Sequence, residues 1–215
     1  PYTLLRVLDG PEAGRVHRAF AFDGEAPKRT HLYKGITGNS LGFEEELPDL
    51  GLTISYRWQG CDAFGWTRRV VVTNTGERPI SLSVLDGLRN LQPYGVSAHL
   101  SQNSSCLVDA YKRSEIEAKS GLGIFALTSR IVDRAEASEM LRANVAWSIG
   151  LDGPRLLTLN QLPAFHAGRP LEHEDDLRGD RAGYFATGEI TLAPGSSHTW
   201  WMVADVGLSH GSVIK

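Results

Sequence analysis

Cysteine is nearly missing from this chain: of 215 residues, only Cys61 and Cys106 carry a thiol. Two widely spaced thiols build neither a disulfide framework nor a zinc site with short ligand spacing. Both are expected to be reduced and buried, because a free cysteine behaves as a small hydrophobe. A charge excess is missing too. Lys plus Arg number 22 against 25 Asp plus Glu, a net charge of -3, which argues against nucleic acid or an anionic membrane surface as partner. No apolar run approaches the length that spans a bilayer, so no membrane partner is expected. The opening residues PYTLLRVLDGPEAGR lack the basic and apolar regions of a signal peptide, which leaves the compartment open. The sequence also contains no G-x-S-x-G elbow, no phosphate-cradling glycine loop and no Cys-x-x-Cys. Nucleophilic and cofactor chemistries are therefore without support, and no cofactor is expected.

Short strands are what the chain does contain. Segments of seven to ten residues alternate or run apolar and stop at Gly, Pro, Asn or Asp: 14–22 (GRVHRAFAF), 51–58 (GLTISYRW), 66–74 (WTRRVVVTN), 79–85 (PISLSVL), 122–129 (LGIFALTS), 143–149 (ANVAWSI), 183–192 (GYFATGEITL) and 198–206 (HTWWMVADV). In 66–74, alternation places Trp66, Arg68, Val70 and Val72 on one, mostly apolar face, with Thr67, Arg69, Val71 and Thr73 on the other. The turn Asn74-Thr75-Gly76-Glu77-Arg78-Pro79 is expected to close an antiparallel hairpin, and Pro194-Gly195 a second one within 189–206. One short helix is expected at 133–142 (DRAEASEMLR), with Asp133 as N-cap and Glu136 at capping-box distance. No repeat, low-complexity tract or linker divides the chain, so residues 1–215 read as one domain, and a start at Pro1 suits a removed initiator methionine and a domain cut from a longer polypeptide equally. At this length about 70% of the unfolded surface is lost on folding, enough for a core without staples.

The segments FGWTRRVVVTNTGERPISLSVLDGLRNLQPYGV (64–96) and EITLAPGSSHTWWMVADVG (189–207) resemble the N-terminal β-domain of large bacterial proteins related to cellobiose phosphorylases and kindred glycoside phosphorylases and hydrolases. LVDAYKRSEIE (107–117), VDRAEASEML (132–141) and RGDRAGYF (178–185) add to the likeness. The resemblance implies an all-β fold, an antiparallel β-supersandwich of two stacked sheets with minor helical decoration, of the galactose-mutarotase-like type. It implies a C-terminal (α/α)6 catalytic domain of the same chain as partner and a carbohydrate as candidate substrate. The general acid would lie on that missing barrel, so this chain alone is expected to be inactive. This is fold-level analogy.

Side chains that might carry chemistry are then read against it. Glycoside cleavage needs two carboxylates across the bond, yet the runs Glu44-Glu45-Glu46 and Glu174-Asp175-Asp176 read as solvated loops or strand ends. His173, Asp175, Asp176 and Asp180 fail the calcium-loop spacing, so no metal site is expected. A mutarotase would need a histidine acid and a carboxylate base; His99 and His166 are the least implausible acids. Two polar clusters are singled out as ligand or domain-interface candidates: Asp86, Arg89 and Asn90 at a strand end, and Tyr111, Lys112, Arg113 and Glu115 beside Asp109. Trp200 joins them, because adjacent Trp200 and Trp201 point to opposite faces and only one can face the core. An aromatic face left outside would suit sugar stacking or a covering domain. The alternatives to a supporting domain are thus a stand-alone aldose mutarotase or epimerase and a carbohydrate-binding module.

Overall fold

The computed structural model describes residues 1–21, 29–131 and 138–215. In chain order the elements are β1 (Tyr2–Val7), β2 (Val16–Arg18), β3 (Arg29–Lys34), β4 (Ser40–Leu47), β5 (Leu52–Cys61), β6 (Gly65–Asn74), β7 (Ile80–Leu88), α1 (Ala98–Asn103), α2 (Ser105–Tyr111), β8 (Lys112–Ile116), β9 (Gly123–Leu127), β10 (Arg142–Ile149), β11 (Arg155–Leu156), α3 (Leu162–His166), β12 (Asp176–Arg178), β13 (Tyr184–Leu192), β14 (Ser197–Ser209) and α4 (His210–Ile214). They form two antiparallel sheets, one of five strands in the order β11-β13-β7-β1-β2 and one of nine in the order β12-β8-β9-β10-β14-β6-β5-β4-β3. This is the all-β two-sheet sandwich that the alternation predicts.

The inward faces interdigitate as expected for stacked sheets. Leu5, Val7, Leu82 and Val84 from the smaller sheet meet Ile54, Tyr56, Val70, Val72, Trp200 and Met202 from the larger one. A second, smaller core lies on the outer side of the five-stranded sheet, where α3 brings Phe165 onto Leu4, Leu85, Leu156 and Phe185 of the sheet's own strands. Close approach there requires Gly87: a Cβ at this position would sit 2.2 Å from the Tyr184 carbonyl oxygen.

The two expected hairpins are not hairpins. Residues 75–79 lead from β6 in the nine-stranded sheet to β7 in the five-stranded one, and residues 193–196 lead from β13 back to β14 across the same gap. Alternation cannot distinguish the two cases, because a strand keeps its apolar side inward whether its successor lies beside it or opposite it. At about 3.3 Å per residue, four or five residues span the roughly 10 Å between sheets as readily as they close a hairpin. The two corners are tied together by Asn74. Its backbone N–H donates to the Ser196 carbonyl at 2.9 Å, and its carbonyl accepts from the Gly195 N–H at 2.9 Å. Its side-chain Nδ2 donates to the carbonyls of Arg78 and Leu192 at 2.8 and 3.0 Å, while Oδ1 accepts from the Gly76 N–H at 2.9 Å.

Other local expectations also change. The helix expected at 133–142 lies partly outside the described residues; 138–141 are not helical and Arg142 opens β10. The expected buried thiols are instead a half-buried Cys61 and an exposed Cys106. Glu44-Glu45-Glu46 lies in the C-terminal half of β4, near its end, and is not all solvated. Glu45 points inward and is fully buried, accepting from the Phe20 N–H at 2.9 Å and meeting His17 Nε2 at 3.1 Å. Glu174 likewise is a staple, accepting from the N–H groups of Leu157 and Thr158 at 2.7 and 2.8 Å and from Gln161 Nε2 at 2.9 Å.

Candidate functional site

At one end of the sandwich the last turn of the core is polar. Asp86, on the inward face of β7, is fully buried and sits opposite Arg68 of β6, also fully buried, with Arg68 Nη2 2.6 Å from Asp86 Oδ2. The Trp200 indole N–H donates to the same oxygen at 2.6 Å, Thr3 Oγ1 donates to Oδ1, and the Tyr56 hydroxyl donates to Thr3 in turn. The carboxylate thus fills its lone pairs with three side chains drawn from both sheets, the condition under which a buried charge is tolerated. Burial, followed by the nearby Asp86 charge, raises the Tyr56 phenol well above its ordinary value and keeps it a neutral donor. The Arg68 guanidinium lies over the rings of Tyr56 and Trp58, 5.0 and 5.3 Å from their centroids.

Trp58 carries this cluster to the surface. It stands opposite Leu41 on β4 and Arg68 on β6, and its face is shared by alternation with Trp66 and Phe43. These side chains belong to the inward face of the larger sheet, yet Trp66 is 58% exposed and Leu41 36%. Together with Asn39, Ser40 and Gly60 they line a cleft of about 570 Å³. Its floor is aromatic and aliphatic, and its rim offers an amide and a hydroxyl. Trp58 is held from beneath by a guanidinium that a buried carboxylate fixes in place, so its ring is presented in one orientation.

Of the residues singled out in the sequence, Asp86 and Trp200 are brought together, but inside the core, where neither meets solvent. They cannot touch a ligand or partner directly; the tryptophan left on the outer face is Trp201, with Arg69 stacked 5.8 Å from its ring centroid. Arg89, Asn90 and Lys112 do converge. Arg89 and Asn90 line a hollow of about 260 Å³ with Asp180 and Arg181, which adjoins a second of about 250 Å³ where Asn90 and Arg181 meet Asp109 and Lys112. Asn90 takes a left-handed backbone, φ 54°, a conformation Asn tolerates better than most residues. Asp109 is bound by Lys112 Nζ at 2.7 Å and Arg181 Nε at 3.4 Å. The Lys112 hydrogen bond, aided by the charges of both cations, holds its carboxyl below the usual range. Arg113 and Glu115 pair with each other on the opposite face of β8, away from this hollow. Tyr111 closes α2 beside it, half-buried.

The matches to known proteins are structural. No protein-family model matches the chain, and a search of curated proteins finds no match. A polysaccharide lyase aligns with 96% of the chain at 12% identity and a TM-score of 0.52, the alignment covering 26% of the lyase. The two share a fold. A galactose mutarotase-like protein from Lactobacillus casei covers 82% of this chain and 72% of its own length at 10% identity, with a TM-score of 0.38. The sandwich expected from the resemblance to carbohydrate-active enzymes is thus found in one such enzyme, although neither neighbour is a glycoside phosphorylase. The chain spans about a quarter of the lyase it matches.

Among the described residues, His17 pairs with Glu45 at 3.1 Å in an enclosed position, Glu45 being fully buried, and His31 stands 3.5 Å from Glu46 on the exposed face of β3 and β4. A cleft of about 580 Å³ beside the smaller sheet includes Glu189 and His198, but His198 Nε2 is bound to the Gly150 carbonyl at 2.7 Å. His99 and His166 are exposed on short helices. The sequence offers Trp58 and Trp66 among five tryptophans that invite sugar stacking, but the Trp58–Trp66 cleft itself is not singled out there. Its signal was present in the two tryptophans that share a face with buried neighbours near strand ends.

Proposed function

We propose that this chain is a non-catalytic β-sandwich module of a carbohydrate-active enzyme, serving a catalytic domain elsewhere in the same polypeptide and presenting its aromatic cleft to glycan. The observation that carries the reading is the fold match in which nearly the whole chain corresponds to about a quarter of a polysaccharide lyase. Two features support it. The most deeply buried carboxylates, Asp86 and Glu45, are engaged by protein donors rather than open to a substrate. The exposed aromatic floor of Trp66 and Trp58 matches the apolar C–H face of a pyranose, while the rim groups of Asn39 and Ser40 match its hydroxyls. The surface toward the catalytic domain is the end carrying Arg89, Asn90 and Tyr111, with Lys112 buried behind them against Asp109, and exposed Tyr94, Leu107, Leu141 and Val206 supply apolar area to it. Whether the partner cleaves by elimination, hydrolysis or phosphorolysis does not alter this role.

The test is affinity electrophoresis through gels containing soluble polysaccharides. At least one polysaccharide retards the wild-type chain, and Trp66→Ala weakens that association by about three- to tenfold, the worth of one stacked aromatic. Because Trp66 is largely exposed, the variant keeps its fold. Equal retardation of wild type and Trp66→Ala, or no retardation by any glycan, would remove the cleft from the proposal.

A further inference from the structure

The edge hairpin of the nine-stranded sheet places three metal-ligating side chains on one outer face. His31 on β3 stands directly opposite Glu44 on β4, and Arg29 stands opposite Glu46. Residues two apart along a strand share a face, so Glu44 and Glu46 flank His31 while Glu45, between them, points into the core. One ligand atom from each of His31, Glu44 and Glu46 lies within 4.8 Å of the other two. His31 Nε2 is 3.5 Å from Glu46 Oε1. Ligands bound at 2.0–2.2 Å in a tetrahedral site stand about 3.4 Å apart, so one edge of such a site is already at its final length.

We propose that His31, Glu44 and Glu46 bind a divalent first-row transition ion, with Zn²⁺ as the reference metal. One imidazole and two carboxylates suit Zn²⁺ and its neighbours. The set has no thiolate to select a soft monovalent ion, and too few oxygens for calcium, which takes six to eight. A supporting contact is in place: the Tyr33 hydroxyl donates to Glu44 Oε1 at 3.2 Å, orienting that carboxylate as outer-shell partners of metal ligands do. Arg29 Nη1 stays 3.9 Å away from the other oxygen of Glu46 and leaves Oε1 to His31. With side-chain exposures of 44% for His31 and 38% for Glu46, the ligands are reached without opening the core. Three protein ligands leave a fourth position for water. The bound ion would pin β3, every residue of which is exposed, to β4, its one neighbour among the described strands, stiffening an edge that side-chain packing holds weakly.

The experiment is calorimetric titration of chelator-treated protein with ZnCl2, repeated with CoCl2 to record the visible absorption of a low-symmetry nitrogen–oxygen site. Wild type binds one equivalent. His31→Ala and Glu46→Gln each weaken binding by at least about tenfold, since losing a ligand costs no less than losing an outer-shell partner. Tyr33→Phe weakens it less, and His166→Ala, an exposed histidine elsewhere, leaves it unchanged. All of these positions are exposed or half-exposed, and far-UV circular dichroism confirms that each variant retains its strands. Absence of Zn²⁺ binding by wild type, or unchanged binding by the His31→Ala/Glu44→Gln/Glu46→Gln variant, would overturn the assignment.

Discussion

Replacing Asp86 by alanine removes the acceptor of three side-chain donors at once and strands the Arg68 guanidinium in the core. Arg68 is already short of partners: Nε and Nη1 have no hydrogen bond among the described residues, so its single close counter-charge is Asp86. Breaking a buried pair from one side costs about 3–5 kcal/mol, because the remaining charge stays desolvated and uncompensated. Set against the roughly 5–15 kcal/mol that stabilises a typical domain, this is a large fraction, and Asp86→Ala should unfold at markedly lower urea concentration. Arg68→Met should be costly for the mirror reason. The double variant Arg68→Met/Asp86→Ala should cost less than the sum of the two, with a coupling of about 2–3 kcal/mol, because no charge is then left buried. The measurement is equilibrium unfolding followed by tryptophan fluorescence and far-UV circular dichroism, with matched slopes required before free energies are compared. The same variants should weaken glycan retardation, since Trp58 loses the guanidinium beneath its ring. A cost below about 1 kcal/mol for Asp86→Ala, or strictly additive singles, would show that the pair is not a coupled unit and would refute the reasoning.

At the opposite end, Asn74→Ala deletes the side-chain bonds that hold both inter-sheet corners. A loss of about 2–4 kcal/mol is expected from the stranded carbonyls of Arg78 and Leu192, read by the same unfolding assay; near-neutrality would mean the corners hold without it. For Asp109 the sign follows from its lowered folded pKa: the stabilisation is complete above the unfolded value of 3.8 and is lost as pH falls through the folded value. Wild type should therefore lose more stability than Asp109→Asn between about pH 5 and pH 2. Parallel curves over that interval would discount the Lys112 contact.

The fold class was legible because alternation in segments such as 51–58 and 66–74 is physical: a half-buried strand must alternate. The partition into sheets was not, since Thr75–Pro79 and Ala193–Ser196 satisfy a corner as well as a hairpin. Arg68 on an otherwise apolar face was a legible anomaly pointing to a buried counter-charge, but nothing in the order of residues says that Asp86 supplies it. The acidic run 44–46 hid the opposite lesson: in Phe43-Glu44-Glu45-Glu46-Leu47, strand periodicity buries the middle glutamate, whereas composition alone suggests water. Strands β3 and β12 escaped notice because they are largely exposed edges with no apolar face to betray them. The short helix α1 is marked by a local cap, the Ser97 hydroxyl that accepts from the Leu100 N–H, whereas α2 has no side-chain cap, and both are too short to show an amphipathic pattern. Of the residues singled out, Arg89, Asn90 and Lys112 do meet, since the end of β7 and the start of β8 come together there, a tertiary fact invisible in sequence.

The most direct trial of the central claim is turnover by the 215-residue chain itself. Incubated with a panel of polysaccharides, with disaccharides plus phosphate, and with freshly dissolved α-glucose or α-galactose, it should release product or mutarotate sugar no faster than buffer does. Enzymatic-rate conversion of any one of these by the chain alone would contradict the account.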